Sequence, residues 1–197
     1  MGFGLERDPY HSGKVTVQDA AGNARGLNVD ASGNIGAALA AADVHIGQVG
    51  TYGVSISQTP TVTAGAYAAG DAVGGLLTFA LAARAAAGGG VVKDVIFLDD
   101  AGQDAALELW LFSVTFTAMA DNAAWNPSQA DLRNLVGIIP TSNGAWYDAG
   151  TESAAVVACS QRYDLTGTSL FGQLVTRGTP TYAATDDVTV KIGLLQD

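Results

Sequence analysis

Cysteine is all but missing from this chain: Cys159 stands alone. No intramolecular disulfide can form, and stability has to come from packing. Histidine is almost as scarce. His11 and His45 lie far apart, neither belongs to a His-x-x-x-His pair, and one cysteine does not complete a structural zinc set. Basic residues are also few, with 9 Lys and Arg against 19 Asp and Glu, a formal net charge of -10. The cations sit singly along the chain, which excludes the clustered footprint expected for nucleic acid or anionic membrane. Long apolar runs are absent too. The richest windows, 73–87 and 107–116, are too short or too interrupted to span a bilayer. The amino-terminal residues 1–13 hold no apolar stretch suited to secretion, and those behind Gly2 form no acylation signal. The expectation is a soluble chain made in the cytoplasm, without cofactor, metal, nucleic acid or membrane partner.

Catalytic patterns are similarly thin. No Gly-x-Ser-x-Gly elbow, phosphate loop or dinucleotide fingerprint occurs. Gly88-Gly-Gly and Gly74-Gly read as turns or close-packing positions. Asp99-Asp-Ala-Gly-Gln-Asp is the densest acidic cluster. It lacks the ligand spacing and terminal Glu of a helix–loop–helix calcium site, so it reads as a solvated hairpin turn. Glutamate occurs only as Glu6, Glu108 and Glu152. Glu108 lies between Leu107 and Leu109 and reads as edge-facing or salt-bridged rather than as half of a glycosidase pair. Cys159 closes an apolar run and reads as a small buried thiol. The candidate ligand or subunit contacts are aromatic: Trp110, Trp125, Trp146 and Tyr147. Trp110 fits a core or interface. Trp146-Tyr147 follows Ser142-Asn-Gly-Ala and reads as an exposed pair, serving subunit packing or a pinned loop before sugar recognition.

A chain of 197 residues suits one large all-β domain with an appendage. Residues 1–42 hold two Asp-x-x-Gly-Asn turns between short alternating stretches, the pattern of a small β-meander or extended arm. Residues 43–197 carry the strand signals. Tyr52-Gly-Val-Ser-Ile-Ser, 91–98, 136–139, 153–165, 169–177 and 187–195 read as strands, and 74–87 as a strand passing into an irregular or short helical piece. In 107–116, Leu107, Leu109 and Leu111 share one face while Trp110, Phe112, Val114 and Phe116 share the other. Such a strand has to be covered on both sides, by a second sheet and by a loop or another subunit. Residues 126–135 form the best short helix, capped by Asn126 or Ser128 and anchored by Leu132 and Leu135. The fold class is all-β, a β-sandwich or jelly roll with one short helix.

Four phrases carry a family resemblance. They are Ala64-Gly-Ala-Tyr-Ala-Ala-Gly-Asp-Ala-Val-Gly-Gly-Leu-Leu-Thr-Phe, Thr115-Phe-Thr-Ala-Met-Ala-Asp-Asn-Ala-Ala-Trp, Leu170-Phe-Gly-Gln-Leu-Val-Thr-Arg-Gly-Thr-Pro-Thr-Tyr and Asp187-Val-Thr-Val-Lys-Ile-Gly-Leu-Leu-Gln-Asp. From Pro60 onward the chain resembles a recurrent family of tailed-bacteriophage and prophage virion structural proteins, decoration-like in character. The resemblance implies a non-enzymatic capsid decoration (cement) protein on the head surface. It also implies a symmetric homo-oligomer, a trimer first, with the major capsid protein or another virion protein as partner. Lys14, Val15, Val17, Arg25, Leu27 and Val29 would then line a capsid-contacting arm. The rival expectations are a collar, tail or fibre-associated module binding a host glycan, and a polysaccharide-degrading virion enzyme.

Overall fold

A computed structural model describes residues 52–197, the side chain of Asn143 excepted, and four short strands before them. The chain divides into two units, Met1–Val49 and Gly50–Asp197. In the first, β1 (Thr16–Gln18) pairs antiparallel with β2 (Ala24–Gly26), and β3 (Asn28–Val29) with β4 (Ile35–Gly36). Each of these ladders spans one of the two Asp-x-x-Gly-Asn segments. Their side chains, the histidines and the expected strand at Val44 lie outside the described residues.

The second unit is a two-sheet antiparallel sandwich. Its strands are β5 (Tyr52–Gln58), β6 (Ala72–Phe79), β7 (Gly89–Asp99), β8 (Leu107–Phe112), β9 (Leu135–Pro140), β10 (Trp146–Asp148), β11 (Ser153–Asp164), β12 (Leu170–Thr176) and β13 (Val188–Gln196). One sheet runs β10-β11-β7-β13-β5 and the other β6-β12-β8-β9. With β10 set aside, the two four-strand orders and the repeated crossing between sheets are those of a jelly roll. Strand alternation explains the layering. Val188, Val190, Ile192 and Leu194 of β13 all face inward and are buried. They meet Val95 and Phe97 of β7, Leu109 of β8 and Leu174 of β12 in one core. Each large aliphatic or aromatic side chain so buried contributes about 1.5–3 kcal/mol. Among the described residues no helix is long and apolar enough to cross a membrane.

Several local expectations change. The helix expected over 126–135 shrinks to α1 (Gln129–Leu132), capped by Ser128, whose hydroxyl accepts from the Asp131 N–H at 3.1 Å. Leu132 is exposed, and Leu135 already belongs to β9, so neither anchors a helix face. The strand expected to reach residue 116 leaves the sheet after Phe112, because Phe116 folds back onto the Phe112 ring at 4.1 Å. By contrast, the strand expected to pass into an irregular or short helical piece does so: β6 ends at Phe79 and residues 80–88 form irregular turns. Of the two readings of Gly88-Gly-Gly, turn or close packing, the second holds for Gly89 and Gly90, which open β7. Gly90 lies beneath Tyr163, whose hydroxyl donates to the Ala82 carbonyl at 2.6 Å. A Cβ on Gly90 would meet that hydroxyl at 2.7 Å and run into the Leu195 carbonyl.

The Gly90→Ala substitution is therefore expected to cost about 1–3 kcal/mol in chemical denaturation. Gly53→Ala, where a Cβ meets nothing within 4 Å, serves as the control and should shift stability by less than about 0.5 kcal/mol.

Candidate functional site

The most elaborate side-chain arrangement in the sandwich covers the outer face of β8. There Glu108, Trp110 and Phe112 point away from the core, while Leu107, Leu109 and Leu111 point into it. The cover is a segment of the same chain, residues 113–127. Trp125 packs edge-on against Trp110 with ring centres 5.3 Å apart, and Phe116 packs against both Phe112 and Trp125. Of the two covers expected for this strand, loop or neighbouring subunit, the loop is present.

A set of polar side chains fastens that loop. Between Gly172 and Leu174 of β12 the register with β6 shifts, so that 74–76 of β6 lie opposite Gln173 alone. This bulge takes Gly74, with φ of +70°, out of the ladder and leaves its N–H and C=O to be satisfied elsewhere. The Gly74 N–H donates to Asp121 at 2.5 Å, and its carbonyl accepts from the Gln173 amide at 2.9 Å. Gln173, fully buried, also donates to the Met119 carbonyl at 2.7 Å and accepts from the Met119 N–H at 2.9 Å. Both amide hydrogens and the amide oxygen are thus engaged. Asp121 further accepts from the Tyr67 hydroxyl at 2.7 Å and the Thr63 hydroxyl at 2.6 Å. Burial, then the bond to Asp121, pushes the Tyr67 phenol above its ordinary range. Tyr67 in turn meets Tyr182 edge-on at 5.6 Å.

The sequence-derived candidates fall into different places. Trp110 and Trp125 belong to this covered face. Trp146 and Tyr147 do not form one exposed pair, because β10 alternates. Trp146 packs on the core and donates its indole N–H to the Ala105 carbonyl at 3.2 Å. Tyr147 points the opposite way and is 65% exposed. Of the arm candidates, Val17, Arg25 and Val29 fall in the short strands, with Val17 opposite Arg25 and Val29 opposite Ile35. Lys14, Val15 and Leu27 lie outside the described residues.

The acidic candidates are held by their own surroundings. Asp99 is buried and turned back on its loop, accepting from the Ala101 N–H at 3.1 Å and the Gln103 N–H at 3.0 Å. Burial raises its pKa, against the pull of those backbone donors. Asp100 and Asp104 are exposed. Among the described residues no group of three or more His, Cys, Asp or Glu is placed to hold a metal ion. Glu108 accepts from Arg177 at 2.8 Å and from the Trp110 indole at 2.9 Å. Burial alone would raise its pKa, but these two bonds and the Arg177 charge outweigh it and hold Glu108 below the usual carboxylate range. Cys159 is half-buried, contacts the Val92 carbonyl at 3.4 Å, and has its thiol pushed up by burial.

Gln173, Asp121 and Tyr67 are the functional-face residues that sequence reasoning missed. One signal was available for Gln173, an amide alone inside the run Leu170–Thr176. Asp121 carries no such mark, since its partners lie 47 to 58 residues away.

Two measurements follow from these contacts. Gln173→Ala strands the Met119 N–H, the Met119 carbonyl and the Gly74 carbonyl, and should cost about 3 kcal/mol. Hydrogen exchange should then quicken across 115–125 before the rest of the sandwich. The second concerns pH. Because folded Asp99 keeps its proton to higher pH than the unfolded chain, its contribution is present below the unfolded value of about 3.9 and is lost as pH rises through the folded value. Denaturation curves should show wild type losing stability relative to Asp99→Asn as pH is raised across that window. Compared with known proteins, the chain matches no family model, no curated protein and no solved structure.

Proposed function

We propose that this chain is a non-catalytic structural module of a tailed-phage virion, a head decoration protein that binds and cements the major capsid shell. One observation carries this reading. Three of the four phrases that resemble the virion family, separated by dozens of residues, meet in space as one hydrogen-bonded unit. Tyr67 and Gly74 come from the first, Met119 and Asp121 from the second, and Gln173 from the third, whose Tyr182 packs its ring edge-on against Tyr67. The resemblance thus falls on residues that depend on one another to fold, which is what a likeness of architecture requires.

The state of the acidic groups supports a structural role. Glu108 is paired with a guanidinium, and Asp99 is committed to its own turn. Trp146 and Tyr147 point opposite ways, so the glycan-binding rival would have to rest on Tyr147 and the small polar loops rather than on that pair. Cementing then works by multiplicity. A symmetric homo-oligomer, the trimer by resemblance, contacts several capsid subunits at once, and any local opening has to break several contacts together. The amino-terminal unit, with Lys14, Val15, Val17, Arg25, Leu27 and Val29, supplies the gripping arm in this reading.

The test is addition of purified protein to expanded capsids that lack it, followed by imaging of the particles. Regular occupancy over the head lattice in fixed ratio to the major capsid protein is expected. Occupancy confined to the neck or tail, with none on the head, would overturn the assignment.

A further inference from the structure

The outer strands of an open sheet carry backbone N–H and C=O groups with no ladder partner, and proteins protect such edges with bulges, charge, proline, shortness or a cover. The sandwich has four edges, β5 and β10 in one sheet and β6 and β9 in the other. Three are protected. β6 is bulged at Gly74, and its outer side is taken up by the covering loop. There the Ala72 N–H donates to the Ala123 carbonyl at 2.8 Å, and the Ala72 carbonyl accepts from the Asn122 N–H at 2.9 Å. β9 carries Val136 as an extra residue against β8 and ends on Pro140. β10 is three residues long and contains Asp148.

β5 has none of these devices. Its seven residues pair with β13 without a register shift and include no proline and no charge. Among the described residues its other side meets no strand. The strand also reads alike in both directions about Ser55. Gly53-Val54-Ser55-Ile56-Ser57 runs small, aliphatic, Ser, aliphatic, small. Gly53, Ser55 and Ser57 share the exposed face, while Val54 and Ile56 are half-buried on the other. At the end of the strand Tyr52 is 54% exposed.

We propose that β5 pairs antiparallel with β5 of a second copy about a two-fold axis at Ser55, joining two five-stranded sheets into one. A second copy is the occupant because the strand is its own complement, as a two-fold contact requires. The axis sets Val54 opposite Ile56 of the other copy, a β-branched pair that stabilises antiparallel strands. It sets Tyr52 opposite Gln58, and the small exposed face opposite itself. Charge agrees. Copies of a chain with net charge -10 repel where their carboxylates meet, yet residues 44–70 hold no Asp, Glu, Lys or Arg. The one charged residue of β13 is the cation Lys191, beside Ser57. Asp94 of β7 overhangs Gly193, the β13 neighbour of Ser55. The β7 strands of the two copies stand five spacings of about 4.8 Å apart, well beyond a Debye length of about 8 Å. The inference goes beyond the proposed function, whose trimer comes from the resemblance. A strand pair joins copies two at a time and needs no virion address.

The experiment combines sedimentation velocity with hydrogen exchange on the full chain, from micromolar to hundreds of micromolar concentrations. A monomer–dimer equilibrium is expected, with β5 amides gaining protection as the dimer forms. Ser55→Lys and Ser55→Asp each place like charges opposite one another at the axis, and each should weaken dimerisation about fivefold or more. The Ser55 side chain is exposed, so circular-dichroism melts of both variants at low concentration should match wild type. An equimolar mixture of the two should recover the dimer, because unlike charges then meet across the axis. A dimer unmoved by either variant, or a mixture no stronger than each variant alone, overturns the pairing. So do β5 amides protected equally at every concentration, which would mean a cover within the chain. A chain that stays monomeric with β5 amides open overturns it as well and leaves the edge to a strand of another protein.

Discussion

A strand with large side chains on both faces has to be covered twice, and β8 imposes that condition on the rest of the sandwich. The core side is met by the opposing sheet in the ordinary way. The outer side cannot be left to water, because Phe112 and the Trp110 ring have no polar alternation to soften them. Residues 113–127 meet the need by crossing the sheet, and an irregular segment over an apolar face brings backbone polar groups with it. Gln173 satisfies those at Met119. The bulge of β6 then supplies Gly74, whose two freed groups link the loop, through Asp121 and Gln173, to the sheet edge. Packing demand, bulge and polar clamp form one causal sequence.

The charged groups follow the same economy of local commitment. A chain so acidic has carboxylates to spare, yet the ones nearest the sandwich are used internally. Asp121 serves Tyr67, Thr63 and Gly74, Asp187 accepts from the Ala183 and Ala184 N–H groups, and Asp99 closes its own turn. All three accept hydrogen bonds from backbone N–H groups that the sheets leave free. Other charged residues, Arg84, Asp100, Asp104, Arg133 and Asp164 among them, stay exposed, together with isolated apolar points, Leu81 and Tyr147 foremost.

Much of the architecture was legible because period-two alternation is a local property. β13 and β11 read directly from their sequences, and the two-faced pattern of β8 announced the second cover before its identity was known. The errors arose where tertiary contacts overrode local preference. Leu132 and Leu135 have helical spacing, but pairing of β9 with β8 claims Leu135 and cuts the helix to four residues. Gly88-Gly-Gly left a turn and close packing both open, and only the fold decides: β7 needs glycine at two strand positions because neighbouring atoms crowd them. Trp146-Tyr147 looked like a paired surface because its short strand, three residues long, is defined by pairing with β11 more than by its own composition. The Gln173–Asp121 clamp was the least legible feature, since its partners are brought together only by the completed fold.

The position of β13 has a kinetic side. It lies between β7 and β5, pairing with both, so that Tyr52 ends opposite Gln196. Until Val188–Gln196 is synthesised, the five-stranded sheet cannot close, and the facing edges of β5 and β7 wait unpaired. Contacts so distant in sequence are slow to form, and open strand edges invite pairing with other chains during the delay. The rate at which β13 closes the sheet, as much as the stability of the finished sandwich, therefore sets how much of the chain reaches the folded state.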